Sequence, residues 1–296
     1  MKKIQYIIEY IFLKIFIWII NIFPWKYNNG LSFFFLPLIK VIGNYKKITV
    51  ENIKKSNINI HEDNLNKFIN KVLRQNILTY IEMIKLMKMN KEEVFAHINF
   101  KNKEILEKLY ENSGEKGIIF VLAHIGNWEI LGQAVAYKYN LAAIARRQNN
   151  PYTENLIKKM RGKSGLEIIY REGNVALKVL RYLRKGYGVG FLNDQDGGIS
   201  GITTEFMGRN CSTPQGPAFF GIKTESPICF CYTLRNEKNN IDVYFEEPFY
   251  PSKRKNESNK EAQKRVLQKL INIQEKVIKK NPYQWNWLAN RWRTER

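Results

Sequence analysis

Residues 117–132, GIIFVLAHIGNWEILG, predict the central unit of the fold. Ile118–Leu122 is an almost wholly apolar run, which is typical of a strand buried on both faces. A glycine and an asparagine then supply turn and cap residues ahead of a helix that begins near Trp128. We therefore expect a strand, a loop and a helix. His124 would lie at the carboxyl end of the strand, the edge where ligands sit in open α/β sheets.

His124 and Glu129 have the residue types of a general base and of the carboxylate that orients it. The carboxylate would accept one ring N–H and fix the tautomer, which leaves the other nitrogen free to take a proton from a hydroxyl. Five residues on a helix correspond to about 140° of rotation, so the two side chains can meet only if the chain folds back through Gly126. The alternative is a histidine that caps a helix or satisfies a buried carbonyl.

His124 is the candidate base among the three histidines of the chain. The other two, His61 and His97, lie in polar surroundings, and we expect them to be solvated. No serine or cysteine stands close to His124 in the sequence. This favours a substrate hydroxyl, rather than an enzyme side chain, as the nucleophile.

The rest of the chain predicts an α/β fold with a mainly parallel central sheet flanked by helices. Strands are expected at Leu141–Ala145, 166–170 and Gly188–Leu192, and helices between them. Residues 204–217 are rich in glycine, proline and polar side chains and predict a loop, and residues 49–60 predict a polar connector. Further helices are expected at 63–89, 102–112, 218–223 and 266–280, and further strands at 228–235 and 241–245.

The amino terminus predicts a membrane anchor. Residues 6–24, YIIEYIFLKIFIWIINIFP, approach the roughly 20 apolar residues needed to span a bilayer. Glu9 and Lys14 interrupt the run, so a tilted span and a helix lying in the interface are both compatible with it. A buried core helix is the third alternative. The many basic residues further along favour a cytoplasmic location for the main domain.

Composition favours anionic partners. The 296 residues include 48 Lys and Arg against 27 Asp and Glu, a net charge of +21. Such a field suits a phospholipid surface, a phosphorylated substrate, an acidic carrier protein or nucleic acid, although many lysines could simply keep the surface hydrated. The three cysteines have no metal-ligand spacing, so we expect reduced thiols and no metal site.

Residues 124–129, HIGNWE, resemble the H-x-x-x-x-D/E signature of the lysophospholipid acyltransferase superfamily. In particular, they are similar to the H-F-G-N-W-E form of the late acyltransferases of lipid A biosynthesis, the lauroyl and myristoyl transferase family. The ending NPYQWNWLANRW is similar to that family's P-x-Q-W-x-W…R-W ending. Residues 204–217 resemble its F-F-G-x-x-x-x-T segment, with Met207 in place of the second aromatic. The resemblance is weakest at residues 63–115.

The resemblance implies the activity and the organisation of the chain. Residues 1–47 would form membrane-anchoring or interfacial helices, and residues 48–296 an α/β acyltransferase domain on the cytoplasmic face of the inner membrane. A fatty acyl group would pass from an acyl-carrier protein, or from an acyl-CoA thioester, to a hydroxyl of a phosphorylated lipid A precursor. His124 would be the base and Glu129 its partner, with neither a metal nor another cofactor.

The resemblance also implies substrate-binding residues. Arg146 stands where the family has an arginine before an Asn-Pro pair, and Arg171 is a second candidate phosphate ligand, because guanidinium groups bind phosphate with two parallel donors. A solvated arginine at a strand end is the alternative. Asp194 lies in an element similar to the family's D-x-D-x-G and is a candidate either for supporting another residue of the site or for binding the acceptor. The amides of Gly126 and Asn127 are candidate oxyanion donors.

Two other functions remain open from the sequence. A glycerolipid acyltransferase would usually carry Asp in the acid position and a Glu-Gly-Thr element, whereas this chain has Glu129 and, at 172–174, Glu-Gly-Asn. A catalytically inactive, basic membrane or nucleic-acid adaptor would suit the charge and the three carboxyl-terminal tryptophans, which could form an interfacial belt, stack on bases or pack inside. No nucleic-acid motif is present, so we expect no nucleic-acid partner.

Overall fold

The computed structural model describes residues 2–41 and 45–294, apart from the side chain of Glu62. Its strands are β1 Ile98–Phe100, β2 Ile118–Leu122, β3 Leu141–Ala145, β4 Glu167–Tyr170, β5 Gly188–Leu192, β6 Ile202–Phe206, β7 Arg209–Thr213, β8 Ile228–Arg235 and β9 Ile241–Phe245. Its helices are α1 Lys2–Ile22, α2 Asn28–Val41, α3 Tyr45–Lys55, α4 Glu62–Leu86, α5 Lys91–Ala96, α6 Lys103–Ser113, α7 Trp128–Ala136, α8 Pro151–Gly162, α9 Val175–Arg184, α10 Gly216–Thr224 and α11 Asn259–Lys280.

Seven strands form one sheet in the order β1-β9-β8-β2-β5-β3-β4. All neighbouring pairs are parallel except β8 and β9, which confirms the predicted mainly parallel α/β sheet. β2 lies in the middle of the sheet and is buried along its whole length, as its apolar sequence predicts. Its neighbour β5 runs in register with it, and Leu122 pairs with Leu192 at their ends. Residues that follow β2 and β5 therefore lie side by side at the carboxyl edge.

Two buried apolar layers cover the faces of the sheet. One layer includes Val179 and Leu183 of α9 and the inner face of α11. The other includes Leu106 and Leu109 of α6 and the apolar side of α7. A helix on each face of a parallel sheet is the expected result of strand–helix alternation, because both faces of the sheet must be shielded from water.

Two segments for which the sequence predicts no helix or strand form regular secondary structure. Residues 204–217, expected to form a loop, lie largely in a hairpin of β6 and β7, which pair antiparallel outside the main sheet. Polar residues hide the alternation, since Thr204 and Thr213 are buried and hydrogen-bond to each other at 2.7 Å. Residues 49–60, expected to be a connector, are helical to Lys55 in α3. The Asn52 amide anchors that helix by donating to the carbonyl oxygens of Trp287 and Ala289, a tertiary contact that periodicity cannot reveal.

The amino-terminal helices pack on α4. Ile17 and Ile20 of α1 and Leu31 of α2 join a cluster with apolar residues of α4. In the described part of the chain, α1 is the one helix long and apolar enough to cross a membrane by length and composition. Only 11% of its most apolar window is buried, so α1 is not a core helix. One apolar helix of this kind is a candidate membrane anchor.

Candidate active site

The site forms where β2 and β5 end. His124 and Asp194 each stand two residues beyond the paired Leu122 and Leu192. The imidazole Nδ1 of His124 lies 2.8 Å from Oδ1 of Asp194, and the backbone N–H of His124 donates to Oδ2 at 2.8 Å. Within the described residues, the other ring nitrogen, Nε2, has no hydrogen-bond partner. The imidazole side chain is 16% exposed, so a substrate group can reach it.

Asp194 is a buried carboxylate, and both of its oxygens accept hydrogen bonds. Besides His124, the indole Nε1 of Trp285 donates to Oδ2 at 2.7 Å. Burial alone raises the pKa of Asp194, but the charge and hydrogen bonds of His124, together with the bond from Trp285, outweigh it and hold the pKa below its ordinary value. Asp194 therefore stays ionised and accepts the N–H at Nδ1 of His124; whenever the imidazole is neutral, this contact leaves Nε2 as the basic nitrogen.

The structure pairs His124 with Asp194 and not with Glu129, the expected partner. Glu129 does not hydrogen-bond to His124; it accepts from Nε of Arg161 at 3.1 Å and from a second nitrogen of the same guanidinium. Glu129 lies inside the first turn of α7, while His124 lies in the loop, and the turn does not bring them together. Asp194 takes the orienting place instead, which agrees with the first of its two expected roles, that of supporting another residue of the site.

The loop after His124 is held from three sides. Gly126 has a φ of +61°, and a Cβ there would overlap the carbonyl oxygen of Thr233, so the position requires glycine. The hydroxyl of Thr79 on α4 donates to the carbonyl oxygen of Gly126 at 2.8 Å. Glu82, one turn further along α4, accepts from the Asn127 side chain at 2.9 Å. The loop is therefore fixed before a substrate arrives.

Arg235 of β8 completes this support. Its guanidinium donates to both carboxylate oxygens of Glu82, at 2.8 and 2.7 Å, and both side chains are buried. The same guanidinium donates to Oγ1 of Thr79 at 2.6 Å. A buried pair of this geometry is costly to break, because either partner alone would leave an uncompensated charge.

The expected oxyanion donors are already occupied. The N–H of Gly126 donates to the carbonyl oxygen of Gln284 at 3.0 Å, and the N–H of Asn127 donates to Oγ1 of Thr233 at 2.7 Å. Asn127 also caps α7 through its side chain, which accepts from the N–H of Ile130. These two residues therefore shape the loop, and their amides do not face a substrate.

The carboxyl-terminal tryptophans belong to the site. Ile125 and Trp285 form a short antiparallel bridge, and the N–H of Asn286 donates to the carbonyl oxygen of His124 at 2.8 Å. Trp285, Trp287 and Trp292 are each at most 1% exposed. The sequence left three alternatives for these tryptophans: an interfacial belt, stacking on bases and packing inside the protein. The structure shows packing, because buried rings can contact neither lipid nor bases.

An apolar cavity opens next to His124. Trp128 stands in its wall, and the centroid of the Trp128 ring lies 4.7 Å from the centroid of the His124 ring. The Glu129–Arg161 pair is the charged part of an otherwise apolar lining. The remaining lining residues are Phe120, Leu122, Leu131, Gly132, Val135, Leu141, Ala143, Ile144, Ala145, Leu166, Gly190 and Leu192. Such a cavity suits an apolar chain.

The predicted phosphate ligands stand at the rim of this cavity. Ala145, which lines the cavity, pairs with Tyr170, so Arg146 and Arg171 follow neighbouring positions of β3 and β4. Both side chains are exposed. The intervening Arg147 is already engaged, because it contacts Glu172 at 3.1 Å and stacks on the Tyr170 ring.

Sequence reasoning named Asp194 as a site residue but did not pair it with His124, and it missed the contacts of Trp285 and Arg161. The clearest available signal was positional: a polar residue follows each of two apolar strand runs at the same offset, at 124 and at 194. That signal needs the strand order, which the sequence does not provide. His97, expected to be solvated, is half-buried and stacks on Trp25 at 4.2 Å, whereas His61 is exposed as expected.

The chain matches the family model described as bacterial lipid A biosynthesis acyltransferase over residues 1–294, nearly its whole length. It therefore belongs to that family, which confirms the resemblance seen in the sequence. No curated protein matches the chain significantly. The family makes the protein an acyltransferase of lipid A biosynthesis with an acyl donor and a lipid acceptor as substrates.

Proposed function

We propose that this member of the lipid A acyltransferase family moves a fatty acyl group from acyl-carrier protein to a free hydroxyl of a phosphorylated lipid A precursor at the inner membrane. The observation that carries the proposal is the hydrogen-bonded His124–Asp194 pair, whose imidazole contacts Trp128 in the wall of an apolar cavity. Since no serine or cysteine side chain among the described residues hydrogen-bonds to this pair, the acceptor's own hydroxyl is the nucleophile in this proposal, and no covalent acyl-enzyme forms.

His124 acts as the general base in this proposal. Its Nε2 takes the proton of the acceptor hydroxyl as the oxygen attacks the thioester carbonyl, and the imidazolium that forms is stabilised by Asp194 2.8 Å away. The carbonyl carbon exchanges its bond to sulphur for a bond to oxygen, and the proton on His124 passes to the leaving thiolate. The buried Trp285 N–H keeps Asp194 in place throughout. The reaction needs no cofactor other than the thioester.

The donor chain lies in the apolar cavity in this proposal. Burying a methylene group there yields about 0.8 kcal/mol, so a long acyl chain binds more tightly than a short one until the cavity is full. Glu129 and Arg161 form the polar wall through which the thioester end faces His124. Their contribution is to shape the cavity, because each neutralises the charge of the other.

Arg146 and Arg171 hold a phosphate of the acceptor in this proposal. Their exposed side chains lie beside the cavity rim, where a lipid headgroup would approach. The net charge of +21 favours both an acidic carrier protein and the anionic membrane surface. The main domain lies on the cytoplasmic face, where a carrier protein is present.

Lipid A composition in living cells tests the function. Mass spectrometry of lipid A from cells with and without this chain should differ by one acyl group, whose mass gives the length of the donor chain. Cells that carry only His124→Ala should resemble those without the chain. Identical lipid A in all three strains would contradict the proposal.

A purified reaction tests the donor. Acyl-carrier protein and coenzyme A carrying the same acyl chain are offered separately with a phosphorylated lipid A precursor, and lysophosphatidic acid is offered in parallel as an alternative acceptor. We expect transfer from acyl-carrier protein to the lipid A precursor to be fastest. Faster transfer to lysophosphatidic acid would favour a glycerolipid acyltransferase instead.

A further inference from the structure

The helix α1 is docked along the catalytic domain at both of its ends. Near its start, the side chain of Asn150, at the beginning of α8, donates to the carbonyl oxygen of Tyr6 at 2.9 Å and to Oε2 of Glu9 at 3.1 Å. The rings of Tyr10 and Tyr152 lie 5.5 Å apart. These contacts tie the first half of α1 to the loop that leaves the carboxyl edge of the sheet.

The second half of α1 is docked on α4. Ile17 and Ile20 are 6% and 0% exposed and pack in a cluster that contains Ile77 and Ile81. Just beyond the helix, the ammonium of Lys85 donates to the carbonyl oxygens of Phe23 and Pro24 at 2.7 and 3.0 Å. The contacts from residue 6 to residue 20 cover about 21 Å of helix axis at about 1.5 Å per residue.

From these contacts we infer that α1 lies within one leaflet, roughly parallel to the membrane surface, and does not cross the bilayer. A spanning α1 would carry its partners into a hydrocarbon layer about 30 Å thick. Those partners include the polar side chain of Asn150 and the exposed, polar Gln148 and Asn149 next to it. Such groups are expensive in hydrocarbon. The inference rests on membrane attachment, not on the chemistry of acyl transfer.

The outer face of α1 has the chemistry of a lipid contact. Residues spaced three or four apart form one exposed apolar stripe opposite the docked face. Phe12 is 68% exposed and Trp18 63% exposed, values that water would penalise and acyl chains would not. The stripe consists of Ile4, Ile8, Ile11, Phe12, Ile15, Trp18 and Ile22.

The helix α2 extends the same apolar surface. Phe16 of α1 and Phe35 of α2 contact edge to face at 5.3 Å, and Phe34 and Leu38 are more than half exposed. Exposed lysines lie at 2, 3, 14, 26 and 40 on these two helices and the turn between them. Long basic side chains can keep their ammonium groups among anionic headgroups while the apolar face is buried. The occupant of this surface is therefore a single leaflet of an anionic bilayer.

This orientation brings the acceptor-binding rim to the headgroup level. Asn150, which holds α1, ends the loop that begins at Arg146. A phosphorylated lipid could therefore reach the rim while its acyl chains stay in the leaflet.

Labelling from each side of a sealed membrane tests the orientation in the full chain. The variants are Gln5→Cys near the start of α1 and, as the reference, Lys255→Cys in the exposed segment ahead of α11. The three native cysteines are buried and should not react. With a membrane-impermeant maleimide, we expect both variants to be labelled from the same side. Labelling of Gln5→Cys from the opposite side would overturn the proposal.

Cross-linking supplies the second measurement. A short bifunctional maleimide should join Tyr10→Cys to Tyr152→Cys in the membrane-bound protein, whereas Phe12→Cys on the outer face should not reach Tyr152→Cys. No cross-link in the first pair, or protein that stays soluble when anionic vesicles are sedimented, would also overturn the proposal. If lipid shields residue 5 from the maleimide on both sides of the membrane, the cross-link between positions 10 and 152 decides whether α1 stays docked along the domain. Acyl transfer is measured on the same samples, so a failed orientation is distinguished from a failed function.

Discussion

Two carboxylates stand close to the cavity, and their partners give them different capabilities. Asp194 is 1% exposed and holds an imidazole, while Glu129 is 9% exposed and holds a guanidinium. An imidazole gains and loses its proton near neutral pH, whereas a guanidinium stays charged. The first pair can therefore move a proton, and the second can only fix a charge and a shape. The roles of the two carboxylates therefore follow from which side chain each one contacts, and not from their positions in the sequence motif.

The largest expected effect is on the imidazole of the first pair. His124→Ala removes the proposed base, and we expect acyl transfer to fall on the order of 10²–10⁴-fold. His61→Ala is the matched control, because His61 is exposed and far along the chain from the site. Steady-state transfer by the purified proteins measures both. Full activity in His124→Ala would remove the catalytic role from the first pair.

Asp194→Asn should lower the rate of acyl transfer roughly 10²-fold, because it changes which nitrogen of His124 carries the proton. Oδ2 of Asp194 accepts two N–H groups, so the amide oxygen of an asparagine should take that place and turn its NH₂ toward Nδ1 of His124. Nδ1 would then accept and Nε2 would carry the proton, leaving no basic nitrogen for the substrate. Proton NMR of the imidazole N–H, recorded beside the rate, checks this reason. A loss of rate with the proton still on Nδ1 would contradict it.

Glu129→Gln should act chiefly on stability. Breaking a buried ion pair costs about 3–5 kcal/mol, because the guanidinium of Arg161 would face an apolar cavity without its counter-charge. Adding Arg161→Met should recover part of the loss, and a double-mutant cycle on the free energy of unfolding measures the coupling. Activity should fall less than in Asp194→Asn. If Glu129→Gln lost as much activity as Asp194→Asn while its stability was unchanged, Glu129 would have a chemical role, and the two carboxylates would not differ in function.

Gly132→Leu should change the choice of acyl chain. Gly132 lines the cavity, and a Cβ there would make only ordinary contact with Leu166 at 3.7 Å, so a larger side chain would extend into the cavity. We expect a preference for shorter donors in competition assays. Gly162→Leu, at the exposed end of α8, is the matched control for adding a leucine in a helix. An unchanged preference would mean that the donor chain lies elsewhere.

The smallest expected effect is on the pH dependence of the stability that the Asp194–His124 pair contributes. The pKa of Asp194 is lowered in the folded state, so its stabilising contribution is complete above the unfolded value of about 3.9 and is lost as pH falls below it. The difference in Tm between the wild type and Asp194→Asn should therefore narrow as the pH falls below about 4. If this difference in Tm already began to narrow near pH 6, the pKa of Asp194 would be raised in the folded state, contrary to the expectation.

The central strands and the position of His124 were predictable because they depend on local pattern. Ile118–Leu122, Leu141–Ala145 and Gly188–Leu192 are short apolar runs between turn residues, and all three form the strands expected. The β6–β7 hairpin was missed because several of its buried side chains, Thr204, Cys211 and Thr213, are polar or small and hydrogen-bond to one another. Hydrophobic periodicity carries no trace of such pairing.

By itself, the sequence determined the strand–loop–helix unit, the family, the basic charge and the exposed apolar start of the chain. Tertiary structure decided which carboxylate holds His124 and where Glu129 points. It also decided that α1 runs along the domain. The physical reason is that each depends on which elements become neighbours: β5 joins β2 across 70 residues of chain, and Asn150 meets α1 across 144. Local spacing sets which way a side chain leaves its own element, but only packing sets what it meets.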